Sequence, residues 1–451
     1  MNQELIYKNN IKSLMSLTNF EYNKLKRRDP GFHLDRVNYM MKKFDYPNKN
    51  KDFIHIAGSK GKGSTSNLVS YGLSNKKIGL FTSPHMHKLT ERIKINNKSI
   101  SKKLFNFYFK KVWKIVEIME KEIDQKPTFF EFMTLLALVI FRDEKVDISV
   151  IEVGLGGRLD STNVIDSNLS VITQISKDHT NILGDTLIKI SNEKGGIIKP
   201  KTPLIISKQL ERVEKNLENI AKRKNSEIYH SSDIEIITKL VNINDNFSQN
   251  ILLKNEYKFN LNLLGDHQIE NLKTALKAIE VFYQYKKKDK LDWNLVGDNI
   301  SKAFMTGRCE VIKYGKHFWI ADGAQNNKSS KALIRTIKKL RFDINKIIWI
   351  YGGSDGHSSF ETIRAIKKYS PKIILTKSRL PKAKSPSSIV KELKNLNLDI
   401  IELTSNTSEA FKLAKSLVNT KDCIVAFGSL YIAAEIVELL KNIKPEKYTY
   451  E

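Results

Sequence analysis

Short apolar runs closed by turn residues alternate along the chain with longer segments of helical apolar spacing, the pattern of parallel α/β architecture. Residues 53–57 read as a buried strand, a glycine-rich turn follows, and a helix is predicted over 64–74. Further strands are predicted at 78–82, 148–153, 169–175 and 204–207, with a helix over 129–142. From 232 to 263 short alternating segments broken by Asn and Asp predict a small antiparallel region, and 264–283 returns to a helix. A second series of strands is predicted at 318–321, 346–351, 372–376, 399–403 and 423–427, with helical patterns between them. The fold class is therefore α/β, with an N-terminal domain over 1–305 that carries a mostly parallel sheet plus a small β region. A smaller Rossmann-like α/β domain is expected over 306–451. Residues 377–388 read as a long mobile loop.

The chain of 451 residues is too long for one ordinary core, so two or three domains are expected, and 41% hydrophobic residues are enough to bury a substantial interior. The longest apolar run, 132–141, is too short to span a bilayer, and the first residues show no signal peptide. No membrane association is expected, and a cytoplasmic location is. Cys309 and Cys423 are too few and too far apart for a disulfide framework or a zinc site. The net charge of +27 has three readings. It reflects a Lys-, Asn- and Ile-rich coding bias, attraction of anionic substrates such as ATP and polycarboxylates, or nucleic-acid binding. The lysines are spread along the chain and form no stripe or arm, which orders the readings as given.

The segment Gly58-Ser59-Lys60-Gly61-Lys62-Gly63-Ser64-Thr65 lies between a predicted strand and a predicted helix. There, backbone N–H groups can wrap phosphate oxygens at a helix N-terminus, and Lys62 can reach the β- and γ-phosphates. The general Walker spacing has four residues before Gly-Lys, whereas this loop has two. A plain surface turn is the competing reading. The compact form resembles the Mur ligase superfamily, and Ile56-Ala57-Gly58 before it resembles the folylpolyglutamate synthase/dihydrofolate synthase branch. That branch usually carries Thr-Asn where Ser59-Lys60 stand, a departure that adds positive charge beside the phosphates.

The resemblance continues in order along nearly the whole chain. Thr82-Ser83-Pro84-His85 with Glu91-Arg92-Ile93 matches a segment whose serine ligates magnesium, which implies that role for Ser83. Thr128-Phe129-Phe130-Glu131 matches a segment with an aromatic beside the pterin, though Phe129 reads equally as helix core. Glu152-Val153-Gly154-Leu155-Gly156-Gly157-Arg158-Leu159-Asp160-Ser161-Thr162-Asn163 places a carboxylate at the end of a buried strand, which is costly unless a cation meets it. An ion pair of Arg158 with Glu152 or Asp160 is the purely structural alternative. The resemblance implies that Glu152 binds magnesium and that Leu159, Asp160 and Ser161 lie near the pteridine substrate. It also makes His179 a ligand of a second magnesium ion and Lys194, in Glu193-Lys194-Gly195-Gly196, a carbamylated lysine.

Asn271 in His267-Gln268-Ile269-Glu270-Asn271 is expected at the adenine edge. Arg308, after Thr306-Gly307, is expected at nucleotide phosphate, and Asp322 in Asp322-Gly323-Ala324-Gln325-Asn326 at the ribose. Gln325 stands where the family usually has His, which bears on glutamate placement. Ser429 in Gly428-Ser429-Leu430-Tyr431 is expected at substrate, and Gly353-Ser354-Asp355-Gly356 is a weaker match. The segment 29–37 resembles the family's Leu-Glu-Arg-Val region. The family implies a monomer acting on ATP with two Mg2+ ions, a pterin or folate acid and L-glutamate, and the spread of lysines along the chain leads us to expect no nucleic-acid partner. Two other functions stay open: an amide ligase of the same superfamily acting on a cell-wall precursor or another peptide, and a basic P-loop protein that binds nucleic acid and uses ATP only as a switch.

Overall fold

The computed structural model describes residues 2–19, 33–49, 51–286, 291–418 and 422–446. Of the segment 29–37, residues 29–32 lie outside the described residues, and Asp35 opens the helix Asp35–Lys43.

The N-terminal sheet has eight strands: β1 (Asp52–Ala57), β2 (Ile78–Phe81), β3 (Ile93–Ile95), β4 (Lys98–Ser99), β5 (Ile148–Glu152), β6 (Leu169–Ile172), β7 (Leu204–Ile206) and β8 (Ile228–His230). Their order is β4-β3-β2-β5-β1-β6-β7-β8, and only the β2-β3-β4 edge is antiparallel. Strand side chains alternate between faces. Phe53, Phe81 and Ile151 join the core under the helices Lys102–Ile123 and Phe129–Asp143. Ile54, Ile56, Leu80 and Val150 join the opposite core, under Lys62–Gly72 and Asp266–Tyr285. The run 169–175 stops being strand at Ile172, and its last residues form a loop at the sheet's carboxyl edge.

The antiparallel region is a three-stranded sheet, β9 (Ile236–Ile243), β10 (Asn246–Leu253) and β11 (Tyr257–Leu261), in the order β11-β10-β9. Ile251, Leu253, Phe259 and Leu261 enter the N-terminal core. Phe247 packs on Phe318 and Phe342, at ring distances of 5.7 and 5.8 Å. This small sheet therefore adheres to both lobes.

The C-terminal sheet comprises β12 (Glu310–Tyr314), β13 (His317–Ala321), β14 (Ile348–Tyr351), β15 (Lys372–Leu375), β16 (Asp399–Leu403) and β17 (Cys423–Phe427). Its order is β12-β13-β17-β14-β15-β16, parallel except at β12. Trp349 and Phe427 face one helical layer and Trp319 and Ile424 the other, as a sheet buried on both faces requires.

Residues 377–388 differ from the sequence-based expectation of a mobile loop. Ser385 caps a helix that starts at Pro386, and the preceding loop is tied down by charge. The Arg379 guanidinium meets Glu438 at 2.5 and 2.7 Å, and the Arg379 backbone N–H donates to Glu435 Oε1 at 2.9 Å. Glu438, on the last helix, also bonds His87 Nδ1 of the N-terminal lobe at 2.8 Å. Three elements thus converge on one buried carboxylate.

Glu438→Ala should leave the Arg379 guanidinium and the His87 ring without their shared carboxylate at the lobe junction, costing about 3 kcal/mol. Calorimetry should then show the two lobes unfolding at more widely separated temperatures than in the wild type. An unchanged separation would show that the junction does not depend on this residue.

Candidate active site

The loop after β1 is shaped for a phosphate. The helix Lys62–Gly72 begins without a side-chain cap, so the N–H groups of its first turn are free for an anion. Gly61 has φ +91°, and a Cβ there would stand 2.2 Å from Asn271 Oδ1. Asn271 of the helix Asp266–Tyr285 therefore lies against the loop. The N–H groups of Ser59 and Lys60 donate to Gln174 O at 3.0 and 3.1 Å, and Ser59 Oγ donates to Ser176 O at 2.9 Å. Ser64 is buried within the helix's first turn.

Glu152, the last residue of β5, is buried and lies beside this loop: a Cβ on Gly63 would be 3.4 Å from its Oε2. The same oxygen accepts from Ser83 N at 3.1 Å, just after β2. Burial raises the carboxyl pKa, while Lys62, the Ser83 N–H, Arg308 and Arg92 oppose that rise. The cations reach it from three parts of the sequence. Arg308 arrives from the joint between the lobes, and its Nε is buried without a hydrogen-bond partner. Arg92 is wholly buried, donates to His85 Nδ1 at 2.9 Å and stacks over Phe129 at 5.0 Å.

Asp178 accepts from Lys60 at 2.8 Å, and its other oxygen is 3.9 Å from His179 Nε2. Burial, with Lys62, Lys194 and Lys60 adding to it, pushes the His179 imidazole down to about 4 despite Asp178. Lys194 is buried with no carboxylate in ion-pair distance among the described residues. Burial and the nearby Lys62 push its ammonium down to about 7. In the opposite lobe, Asp322 follows β13 and accepts from Cys309 N and Ala324 N, both at 2.8 Å. Burial, opposed by Arg308, raises its carboxyl to about 6.

The substrate candidates divide. Leu159 is half-buried at the turn. Asp160 turns inward, accepting from Leu155 N at 2.8 Å and Thr162 N at 3.0 Å, and Ser161 Oγ bonds Thr134 Oγ1 at 2.8 Å. Phe129 lies in the core beneath Arg92. Gln325 is half-buried where its loop enters the helix Asn327–Lys339. Ser429 caps the last helix, its Oγ accepting from Ile432 N at 3.2 Å. Arg158 pairs with Glu193 at 3.0 Å, which replaces the ion pair with Glu152 or Asp160 considered from the sequence. Exposed Arg158 finds its partner on the neighbouring helix, whereas the two acids point inward.

Gln174, Thr173 and Met305 were not visible as site residues, because each contributes position and no recognisable motif. Lys328 was missed likewise; its Nζ reaches Gln174 Oε1 at 3.1 Å from the other lobe. The cleft offers one carboxylate and one hydroxyl oxygen at Glu152 and Ser83, a donor set suited to a hard cation that takes its remaining ligands from water and phosphates. Among the described residues the metal-like cluster of His, Cys, Asp and Glu is Glu214, Glu218 and His230 instead, where His230 Nδ1 already bonds Glu214 at 3.0 Å. No helix among the described residues is long and apolar enough to cross a membrane.

The Mur ligase middle domain matches residues 56–279, and the Mur ligase glutamate ligase domain matches 307–430. A dihydrofolate synthase/folylpolyglutamate synthase of Buchnera aphidicola (subsp. Schizaphis graminum) is 30% identical over 90% of this chain and 92% of its own. A probable folylpolyglutamate synthase of Schizosaccharomyces pombe is 31% identical, but the match spans 62% of this chain and about half, 54%, of the relative. The crystal structure of folylpolyglutamate synthase from Thermotoga maritima superimposes with a TM-score of 0.80 at 27% identity, covering 99% of both chains. The two domain models together match both α/β lobes, and this chain belongs to the dihydrofolate synthase/folylpolyglutamate synthase family of Mur ligases.

Proposed function

We propose that the chain ligates L-glutamate to a folate-type carboxylate at the expense of ATP, extending tetrahydrofolate, converting dihydropteroate to dihydrofolate, or both. The observation that carries this reading is the buried Glu152 beside an uncapped phosphate loop, with Lys62 and Arg308 acting on its charge. Family membership supports it. We take the lobes to divide at 305/306, the first binding ATP and pterin and the second contributing to glutamate ligation.

A carboxylate does not condense with an amine in water because its oxide is a poor leaving group. Transfer of the γ-phosphoryl group to the acid gives ADP and an acyl phosphate; the glutamate amine then attacks the carbonyl carbon, and phosphate leaves. In this reading the loop Ser59–Ser64 holds the phosphates, Asn271 meets adenine, Asp322 meets ribose and Arg308 meets phosphate. Lys62 and Arg308 offset negative charge on the transferring group. Leu159, Asp160, Ser161 and Phe129 shape the acid's site, and Gln325 and Ser429 that of glutamate. Ser83 and Glu152 would hold one Mg2+, and His179 with carbamylated Lys194 a second. Bound magnesium would supply charge neutralisation on the phosphates. The lobes keep water from the acyl phosphate when closed. The protein is taken as a cytoplasmic monomer that does not bind nucleic acid.

A phosphate-release assay with each pterin acid, with and without glutamate, tests the reading. Lys62→Ala and Glu152→Ala should each lower turnover at least about 100-fold with the fold intact by circular dichroism. Full turnover in either variant would overturn the site. Release that ignores the pterin, together with salt-sensitive RNA binding, would favour the nucleic-acid function instead.

Lys194 should react with dissolved CO2 through its neutral amine, forming an N–C bond and releasing a proton. With its ammonium held near 7, the carbamate should grow between about pH 6 and pH 8 at fixed CO2. 13C NMR with labelled bicarbonate should show the signal in the wild type and not in Lys194→Ala; identical spectra would remove the modification.

A further inference from the structure

β1 is apolar from Phe53 to Ala57 apart from His55, which is fully buried. An imidazole in such a place costs stability unless it is hydrogen-bonded. Its Nε2 lies 2.9 Å from Thr162 Oγ1. Thr162 Oγ1 donates to Asp160 Oδ1 at 2.5 Å, and Asp160 Oδ2 accepts from Leu155 N at 2.8 Å. A hydroxyl has one proton. Since Thr162 gives that proton to Asp160, it can only accept from His55, so the ring proton sits on Nε2. Nδ1 is the buried ring atom without a partner, and a bare acceptor there costs less than an orphaned N–H. Burial, then Lys199, pushes the imidazole down to about 3, which keeps the ring neutral at working pH.

The chain from His55 to Leu155 has a consequence for the site. Asp160 closes the glycine turn that starts at Gly154, and the turn packs tightly on the Lys194 helix: a Cβ on Gly157 would be 2.7 Å from Glu193 O and 3.0 Å from Lys194 O. The strand that carries His55 is the one that ends in the phosphate loop. One ring therefore links the two walls between which the acid and the γ-phosphate must meet.

We propose that His55 is a positioning residue for the acceptor acid, holding the 154–161 turn in register with the phosphate loop through Thr162 and Asp160. This rests on the reading of that turn as the acid's site. His55 touches neither substrate, so its loss should misplace the acid and leave nucleotide binding alone.

The test pairs a spectrum with kinetics. Long-range 1H–15N spectra of full-length protein labelled at histidine, with His55→Gln identifying the signal, should show a neutral ring protonated at Nε2 from about pH 5 to pH 9. His55→Leu and Thr162→Val should raise KM for the pterin acid about tenfold with KM for ATP within about twofold. His55→Gln, which keeps a donor at the same place, and Thr162→Ser should return KM to within about threefold of wild type. An Nδ1-protonated ring, equal shifts in both KM values, or no rescue by Gln and Ser would overturn the proposal. If His55→Leu does not fold, Thr162→Val and the spectrum still decide. A wild type that turns over no pterin acid would sink the proposed function, while the spectrum would still judge the His55–Thr162 bond.

Discussion

Most of this molecule can be understood as the surroundings of one buried carboxylate. Glu152 ends a strand in the middle of an eight-stranded sheet, where a lone negative charge would be expelled or neutralised. Lys62, Arg308 and Arg92 keep it tolerable, with the Ser83 N–H at 3.1 Å. These groups are far apart in sequence and belong to the phosphate loop, the lobe joint and the loop after β2. Holding them around one carboxylate demands both a parallel sheet whose carboxyl ends converge and a second lobe that returns to the first.

The second demand is met by contacts of different chemistry. The three-stranded sheet gives apolar surface to each lobe, through Leu261 and Ile251 on one side and Phe247 on the other. The last helix supplies Glu438 to Arg379 and His87, and Lys328 reaches across to Gln174. Apolar contacts tolerate small rotations, whereas charged ones have defined geometry. Together the two kinds of contact hold the second lobe against the first.

The strands were legible because parallel sheets buried on both faces leave unbroken apolar runs, and 423–427 matches Cys423–Phe427 end to end. The edge strands β3, β4 and β8 escaped because each has two or three residues and half-exposed positions that carry no period. The loop 377–388 escaped for another reason: its order comes from Glu435 and Glu438, 56 and 59 residues beyond Arg379. In the site, Lys62, Glu152 and Asn271 could be named because loop and motif carry them. Gln174 and Thr173 could not, since their part is to hold a backbone in place. The inward turn of Asp160 and the capping by Ser429 were also hidden, because a motif records which residue is present and not which way it points.

If the acid is activated by phosphoryl transfer in the crevice beside Glu152, its own oxygen must end on phosphate. Oxygen tracking tests this most directly. With a pterin acid labelled at both carboxylate oxygens with 18O, each inorganic phosphate released in the presence of ATP and glutamate should carry one 18O, because the acid's own oxygen leaves with phosphate. Phosphate free of label while amide product forms would contradict the account.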